Sequence, residues 1–221
     1  MSRPLIWLPL QVAYVDAGLM VTPNLGSASS TVLVGDGTTA ARMPALVSPS
    51  VNLRHGMTCP TNLRYLRGTI PALGSDGTLV CQWIFPDTQA AASASIMQIG
   101  TGVIGAGEVL LYVVYGTKTL YGFWGGVAGP VTAAVFMAGL HTLMLSSAAG
   151  LASLYWDGRL VAGPGAIAAP VTATDWCAMG DPVVAYDTTA GIMAHASVWP
   201  FGFTGQQASI MHQRLTKDLS C

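Results

Sequence analysis

The chain has few carboxylates, and their spacing in the sequence does not mark a pair that could support acid–base catalysis. Glu108 is its single glutamate, and no aspartate stands near it in the sequence. Retaining glycoside hydrolysis needs two carboxyl groups about 5 Å apart. Two aspartates brought together by folding would meet that need, but no motif marks such a pair. The sequence therefore predicts a protein that is not an enzyme.

Metal ligands are equally sparse. The four cysteines lack CxxC spacing and the histidines lack metal-binding spacing, which argues against a zinc site. A calcium site built from Asp181 or Asp187 and backbone carbonyls is an alternative, because calcium accepts oxygen ligands from many sources. The preferred interpretation is that both aspartates form turns in the segment GDPVVAYDTTAG. We therefore expect no cofactor.

One glycine-rich string, Gly100 to Gly105, matches the GxGxxG pattern of dinucleotide-binding loops. The pattern has meaning only where it opens a helix and an acidic residue follows about 20 positions later. Here a β-like segment follows, and beyond the adjacent Glu108 the next acid is Asp157. We interpret the string as a loop.

Aromatic side chains are the best candidates for ligand contact. The chain has 6 Trp and 7 Tyr, and the apolar face of a sugar packs well on an aromatic ring. Tyr121 and Trp124, in the segment KTLYGFWGG, border a Gly-Gly turn, so they are the predicted contacts if the protein binds a sugar. The alternative for a strand tryptophan is the core of the sandwich.

The composition limits the possible partners. Charged residues make up 9% of the chain and apolar residues 52%, with a net charge of −1. Phosphate binding needs clustered Lys and Arg, so we expect neither nucleic acid nor an anionic membrane as a partner. No formal charge falls between Lys118 and Asp157, but glycine-bearing turns divide this stretch into strand-length pieces, which argues against a membrane span. Such a composition predicts apolar surfaces that bind a protein partner or further copies of the chain.

The pattern of elements is that of an all-β protein closed by one helix. From Thr78 onward, strand-like runs alternate with turn residues, as in an antiparallel sandwich. Asp157-Gly158 lies between two apolar runs and predicts a type I′ hairpin, because both central residues need positive φ. Thr204 and Gln207 form a capping-box pattern at the start of a C-terminal helix. One face of that helix then carries Ala208, Met211 and Leu215.

The N-terminal 50 residues are interpreted as an arm followed by a first hairpin, with a turn at Gly35-Asp36-Gly37. Ile6, Trp7 and Leu8 stand between prolines, and we predict that this stretch docks on a neighbouring subunit. An edge strand of the same sandwich is the alternative, because proline marks strand edges. The N-terminus lacks the pattern of a secretory signal peptide, so we expect assembly in the cytoplasm.

Six short segments carry a family resemblance. They are WIFPD (83–87), MQIG (97–100), LHTLML (140–145), LYWDGRLV (154–161), AMG (178–180) and ASVWP (196–200). Their order between residues 78 and 217 resembles that of the laminin-G-like, concanavalin A-like lectin/glucanase superfamily. The resemblance implies one domain over residues 1–221, a two-sheet antiparallel jelly-roll sandwich with a short C-terminal helix.

The departures from that family bear on function. Its glucanases carry a Glu-x-Asp-x-x-Glu strand, which this chain lacks. Its legume lectins hold calcium and manganese with clustered Asp and Asn, whereas asparagine occurs here only at Asn24, Asn52 and Asn62. The resemblance therefore implies neither the hydrolytic machinery nor the lectin metal site.

Two functional hypotheses follow. The first is a structural protein of a virus-like particle, a bacteriophage capsid-decoration or tail component. It would bind virion subunits and copies of itself through apolar surfaces. The resemblance favours this hypothesis, because sandwiches that resemble this one occur in such particles. The second is a lectin-like module that recognises a carbohydrate on a host surface.

Overall fold

The computed structural model describes residues 3–9, 14–16, 19–22, 26–27, 32–34, 45–51, 54–58, 66–85, 93–100, 104–135, 138–178 and 191–217. Within these ranges the chain forms seventeen strands and one helix. The strands are β1 (Ile6–Pro9), β2 (Tyr14–Asp16), β3 (Leu19–Thr22), β4 (Val32–Val34), β5 (Ala45–Val51), β6 (Arg54–Thr58), β7 (Leu66–Thr69), β8 (Gly77–Phe85), β9 (Ser93–Ile99), β10 (Val109–Val114), β11 (Thr119–Trp124), β12 (Val131–Ala134), β13 (Gly139–Ala148), β14 (Leu151–Trp156), β15 (Arg159–Ala166), β16 (Asp175–Ala178) and β17 (Ile192–Trp199). The helix, α1, spans Gly205–Lys217.

The strands form two antiparallel sheets. The first sheet has the order β15-β14-β13-β8-β17-β6-β5, with β1 added along β17. The second sheet has the order β12-β11-β10-β9-β16-β7-β4-β3-β2. Strands from both ends of the chain enter the sheets, so long-range pairing holds the fold together. The predicted all-β, two-sheet sandwich is confirmed.

The main core lies between the two sheets. Residues that alternate along each strand point into it, as expected where one face of an antiparallel sheet is buried. The first sheet contributes residues such as Leu79, Leu145 and Leu154, all without solvent exposure. The second sheet contributes equally buried residues such as Leu111 and Leu120.

Helix α1 forms a third layer on the outer face of the first sheet. Its apolar face consists of Ala208, Met211 and Leu215, as the sequence predicted. These residues pack with Val80 and Met144 of the sheet in a second buried cluster. Each large apolar side chain buried there contributes roughly 1.5–3 kcal/mol. No helix in the described ranges has the length and apolar character needed to cross a bilayer.

The predicted capping box starts the helix. The backbone N–H of Thr204 donates to Gln207 Oε1 at 2.8 Å, and the N–H of Gln207 donates to Thr204 Oγ1 at 3.3 Å. These reciprocal bonds satisfy two backbone donors at the helix N-terminus.

The N-terminal strand is part of this chain's own sandwich. Strand β1 pairs antiparallel with β17, with Ile6 opposite Val198 and Leu8 opposite Ala196. Ile6 and Leu8 are fully buried in the inter-sheet core, and Trp7 is half-buried on the opposite side. The prediction that Ile6, Trp7 and Leu8 dock on a neighbouring subunit is therefore wrong for Ile6 and Leu8, because this chain's own core takes up their side chains. The edge-strand alternative describes them correctly. The predicted turn at Gly35-Asp36-Gly37 lies outside the described residues.

The β14–β15 turn joins the first sheet to helix α1. Asp157 and Gly158 have φ values of 51° and 75°, which confirms the predicted turn with two positive φ angles. A Cβ atom at Gly158 would lie 2.8 Å from Ser209 Cα and 3.0 Å from His212 Cβ. Glycine is therefore needed there both for its backbone conformation and for the close approach of the helix.

We expect Gly158→Ala to lower the free energy of unfolding by about 1–3 kcal/mol, because it combines strain at positive φ with a clash against the helix. Urea unfolding followed by tryptophan fluorescence measures the change. Gly116→Ala is the matched control, since a Cβ there meets nothing within 4 Å and its φ is not positive. Equal effects of the two substitutions would contradict the close packing of the helix on the turn.

Candidate functional site

Strands β10, β11 and β12 place one set of side chains in the core and the other on the outer face of the second sheet. Along β11, Leu120 and Trp124 point inward and are buried. Gly122 also points inward, where a Cβ would lie 2.6 Å from Leu145 of the opposite sheet. Because side chains alternate along a strand, Tyr121 and Phe123 must point outward.

Three outward-pointing rings form a cluster, which we call the outer aromatic patch: Tyr112 of β10 with Tyr121 and Phe123 of β11. Tyr112 lies directly opposite Tyr121 in the register, with ring centroids 6.2 Å apart and planes inclined by 60°. The rings of Tyr121 and Phe123 are nearly parallel, with an interplanar angle of 8° and centroids 6.1 Å apart. All three side chains are half-buried. The patch thus offers aromatic surface to solvent on a regular, hydrogen-bonded part of the sheet.

Trp124 does not belong to the outer aromatic patch. It is 2% exposed, lies in the inter-sheet core, and donates from Nε1 to the Gly74 carbonyl at 3.4 Å. The prediction that Trp124 contacts a sugar is therefore wrong. Tyr121 and Trp124 are three positions apart on one strand, so they point to opposite faces of the sheet.

Within strands β10, β11 and β12, the residues around the outer aromatic patch are apolar or carry hydroxyl groups. The other outward-facing residues of β10–β12 are Leu110, Val114, Thr119, Thr132 and Ala134. None of these residues carries a charge. Glu108, just before β10, accepts the backbone N–H of Gly105 at 2.8 Å. Lys118 lies exposed in the β10–β11 turn.

A second aromatic surface borders helix α1. Five aromatic residues are half-buried among those described, and two of them, Trp7 and Phe201, lie here rather than on the outer patch. Trp7 packs edge-on against His195 at 4.6 Å and against Trp199 at 5.9 Å. The helix and this cluster enclose a shallow groove, lined by Trp199, Phe201, Phe203, Gln207, Ile210, Met211 and Arg214. Most of its aromatic wall is buried packing that holds the helix.

A polar cluster joins strand β13, the β14–β15 turn and the helix. His141 Nδ1 lies 2.8 Å from Asp157 Oδ2, and the N–H of Thr142 donates to Asp157 Oδ1 at 2.9 Å. His212 of the helix lies 3.0 Å from Thr142 Oγ1. His141 Nε2 faces the Ala138 carbonyl at 3.0 Å, so the second ring nitrogen is engaged by the backbone. The His141–Asp157 pair therefore has no free nitrogen to act as a general base on a substrate.

The pKa of Asp157 is lowered in the folded protein. Burial alone would raise it, but the hydrogen bonds from His141 and the Thr142 backbone, together with the charges of His141 and His212, outweigh burial. The carboxylate thus stays ionised and holds the turn against the strand and the helix.

His195 has a structural role as well. Burial lowers its pKa to about 3, so the ring is neutral near pH 7. Its Nε2 lies 3.1 Å from Ser197 Oγ, which also accepts a hydrogen bond from Trp199 Nε1 at 3.1 Å.

The other residues that the sequence singled out for metal or cofactor binding do not form a site within the described residues. The calcium candidates Asp181 and Asp187 lie outside the described residues. Across the parts of the chain that the structure describes, no three His, Cys, Asp or Glu side chains come together to hold a metal ion. Residues 101–103 of the glycine-rich string lie outside the described residues, so its interpretation as a loop stays a prediction. Cys81 and Cys177 are buried thiols, and burial raises the pKa of the Cys81 thiol.

No protein-family model matches the chain, and no curated protein matches it. Solved structures do. The receptor-binding domain of botulinum neurotoxin D superposes over 96% of this chain and 52% of its own, with a TM-score of 0.66 and 9% identity. The ligand-binding domain of serotype D, in complex with N-acetylneuraminic acid, covers 96% and 50% with a TM-score of 0.63 and 8% identity. A Trypanosoma rangeli sialidase in complex with 2,3-difluorosialic acid covers 96% and 32%, with a TM-score of 0.65 and 13% identity.

The chain has a jelly-roll-like β-sandwich fold. At these identities the likeness establishes the fold alone, since one fold hosts many functions. The chain spans about half the length of the botulinum domains and a third of the sialidase.

We expect Asp157→Asn to lower the free energy of unfolding by roughly 1 kcal/mol near pH 7, because it removes the charged partner of His141. Asn-Gly suits the same turn, so the backbone is retained. A carboxylate with a lowered pKa in the folded state stabilises above its ordinary pKa of 3.8, and that contribution is lost as the pH falls through the lower folded value. The difference between variant and wild type should therefore shrink below about pH 4 in urea titrations. A difference that is constant with pH would contradict a role for the charge.

Proposed function

We propose that the protein is a lectin-like, non-enzymatic module that binds carbohydrate through the outer aromatic patch. One observation carries the proposal: Tyr112, Tyr121 and Phe123 cluster half-buried on a sheet face that points away from the core. The solvent face of an antiparallel sheet is normally polar. A cluster of rings at that position is explained by a ligand that covers it.

Sugar is the ligand class that suits the chemistry of the patch. The apolar C–H face of a sugar ring packs on an aromatic ring, while its hydroxyls need polar partners at the edge of the contact. The hydroxyl of Tyr121 and the side chain of exposed Thr132, which lies opposite Tyr121 in the register, are available as such partners. Hydrogen bonds from these groups would fix the orientation of a stacked sugar.

The structural likenesses agree with this choice. Two of the similar structures contain N-acetylneuraminic acid or a fluorinated sialic acid, and several are receptor-binding or ligand-binding domains of neurotoxins. One neighbour is a sialidase, but this chain has a single glutamate, Glu108, whose carboxylate accepts the Gly105 backbone N–H. We therefore propose binding without hydrolysis.

We expect Tyr121→Ala to weaken binding of a glycan hit about five- to tenfold, since one stacked ring contributes about 1 kcal/mol. Tyr121→Phe should retain most of the affinity if the ring matters more than its hydroxyl. Glycan-array screening of the whole chain, followed by calorimetry of the hits, measures both effects. Leu160→Ala is the control, because Leu160 is 52% exposed on the first sheet, away from the patch. Hits that bind wild type and Tyr121→Ala equally would contradict the proposal.

The structural virion protein is the second candidate, and exposed apolar side chains favour it. Val127, Leu151, Leu160 and Val161 are between 38% and 61% exposed, and the last three lie on the β14–β15 edge of the first sheet. A virion subunit assembled in the host cytoplasm would place such an edge against a capsid protein or a second copy.

We expect light scattering after size exclusion to separate the two candidates. A structural virion protein should form a discrete oligomer, or one that grows with concentration, and Leu160→Ser should reduce it because it removes apolar contact area. A monomer at low and high concentration would count against assembly and leave the carbohydrate module as the only candidate.

A further inference from the structure

The geometry of the outer aromatic patch also bears on the size of its ligand. Tyr121 and Phe123 are two positions apart on one strand, and their nearly parallel rings have centroids 6.1 Å apart. Successive sugar residues in a linear, equatorially linked oligosaccharide repeat at a similar distance. Tyr112 extends the aromatic surface across to the next strand, 6.2 Å from Tyr121.

We propose that the outer aromatic patch binds a linear neutral oligosaccharide, with Tyr121 and Phe123 contacting two consecutive sugar residues, and that calcium takes no part. This inference rests on the proposed function and adds the class and the minimum length of the ligand.

The preference for a neutral ligand follows from the side chains around the rings. The outward-facing residues of β10, β11 and β12 are uncharged throughout, and these three strands are described completely. Among the outward-facing residues of β10, β11 and β12, a carboxylate on the sugar would have no Arg or Lys to pair with. Moving a charged group onto an apolar surface costs free energy unless it is paired.

Independence from calcium follows from the same residues. Calcium takes 6–8 oxygen ligands, usually including Asp or Glu carboxylates. The outer face of the three strands has no carboxylate, and the carboxylate of Glu108 is already bound to the Gly105 N–H. Affinity must therefore come from ring contacts and from hydroxyl hydrogen bonds.

A ligand held mainly by ring contacts gains affinity with each ring that it covers. The rings of Tyr121 and Phe123 are held by neighbouring backbone positions of one paired strand, so the second contact needs no further ordering of the protein. Preorganised contacts of this kind add affinity with little entropic cost. Sugars with all-equatorial hydroxyls suit such contacts, because their ring faces carry only C–H groups.

Glucose and its β-linked oligomers cellobiose and cellotriose, whose ring substituents are equatorial, are therefore the probes, with glucuronic acid as the charged counterpart of glucose. Binding to the whole chain is measured by NMR titration or calorimetry, with and without EDTA. We expect cellobiose to bind about five- to tenfold more tightly than glucose, since one further ring contact is made. Phe123→Ala should reduce this gain to about twofold or less while leaving the affinity for glucose nearly unchanged. Gln206→Ala should change neither value, because Gln206 is exposed on helix α1, away from the patch.

Four outcomes would overturn the inference. Binding that depends on Tyr121 but does not increase from glucose to cellobiose leaves the proposed function intact and refutes the two-residue ligand. Tighter binding of glucuronic acid than glucose refutes the neutral class, and loss of binding in EDTA refutes independence from calcium. Absence of binding to these probes, when another glycan binds in a Tyr121-dependent way, also refutes the choice of ligand. Absence of Tyr121-dependent binding to any glycan overturns the proposed function itself.

Discussion

The alternation of side chains along strand β11 connects the fold to its candidate function. Leu120, Gly122 and Trp124 face the other sheet, and the close approach of Leu145 to Gly122 fixes which side of the strand points inward. A shift of one residue in the register would place Tyr121 and Phe123 in the core and expose Trp124. The same packing that stabilises the sandwich therefore determines which aromatic rings reach the solvent.

The two faces of the sandwich are used differently. The outer face of the first sheet is covered by helix α1, which is held by the Val80–Met144 cluster and by the turn at Asp157 and Gly158. The aromatic residues on that side mostly serve packing, and its polar cluster has its hydrogen bonds directed within the protein. On the second sheet, no helix among the described residues covers strands β10–β12, and the aromatic rings there are half-exposed. This asymmetry is the reason for assigning ligand binding to the second sheet.

Local features of the sequence predicted local features of the structure well. The Asp157-Gly158 turn and the Thr204–Gln207 capping box depend on a few neighbouring residues and on backbone stereochemistry, so both could be predicted. Features that depend on long-range register were harder. Ile6 and Leu8 are buried because β1 pairs with β17, nearly 190 positions away, and nothing in the N-terminal stretch indicates that partner.

The candidate site was predicted only in part for the same reason. The sequence pattern predicts Tyr121, which lies in the outer aromatic patch, as a contact residue, but it predicts Trp124 as well. The two residues are an odd number of positions apart on one strand, which places them on opposite faces of the sheet. Tyr112 was missed, because the run VLLYVV is apolar throughout and shows no alternation that marks its outward side. The short turn between β10 and β11, which sets Tyr112 opposite Tyr121, was the one signal that would have revealed it.

Carbohydrate binding at the outer aromatic patch is tested most directly by locating a bound sugar. Its position is mapped by NMR chemical-shift changes of the aromatic side chains during titration with a glycan-array hit. Binding at the outer aromatic patch predicts changes at Tyr112, Tyr121 and Phe123, with none at Trp7 and Phe201. Changes confined to Trp7 and Phe201 would contradict it and move the binding site to the groove beside the helix.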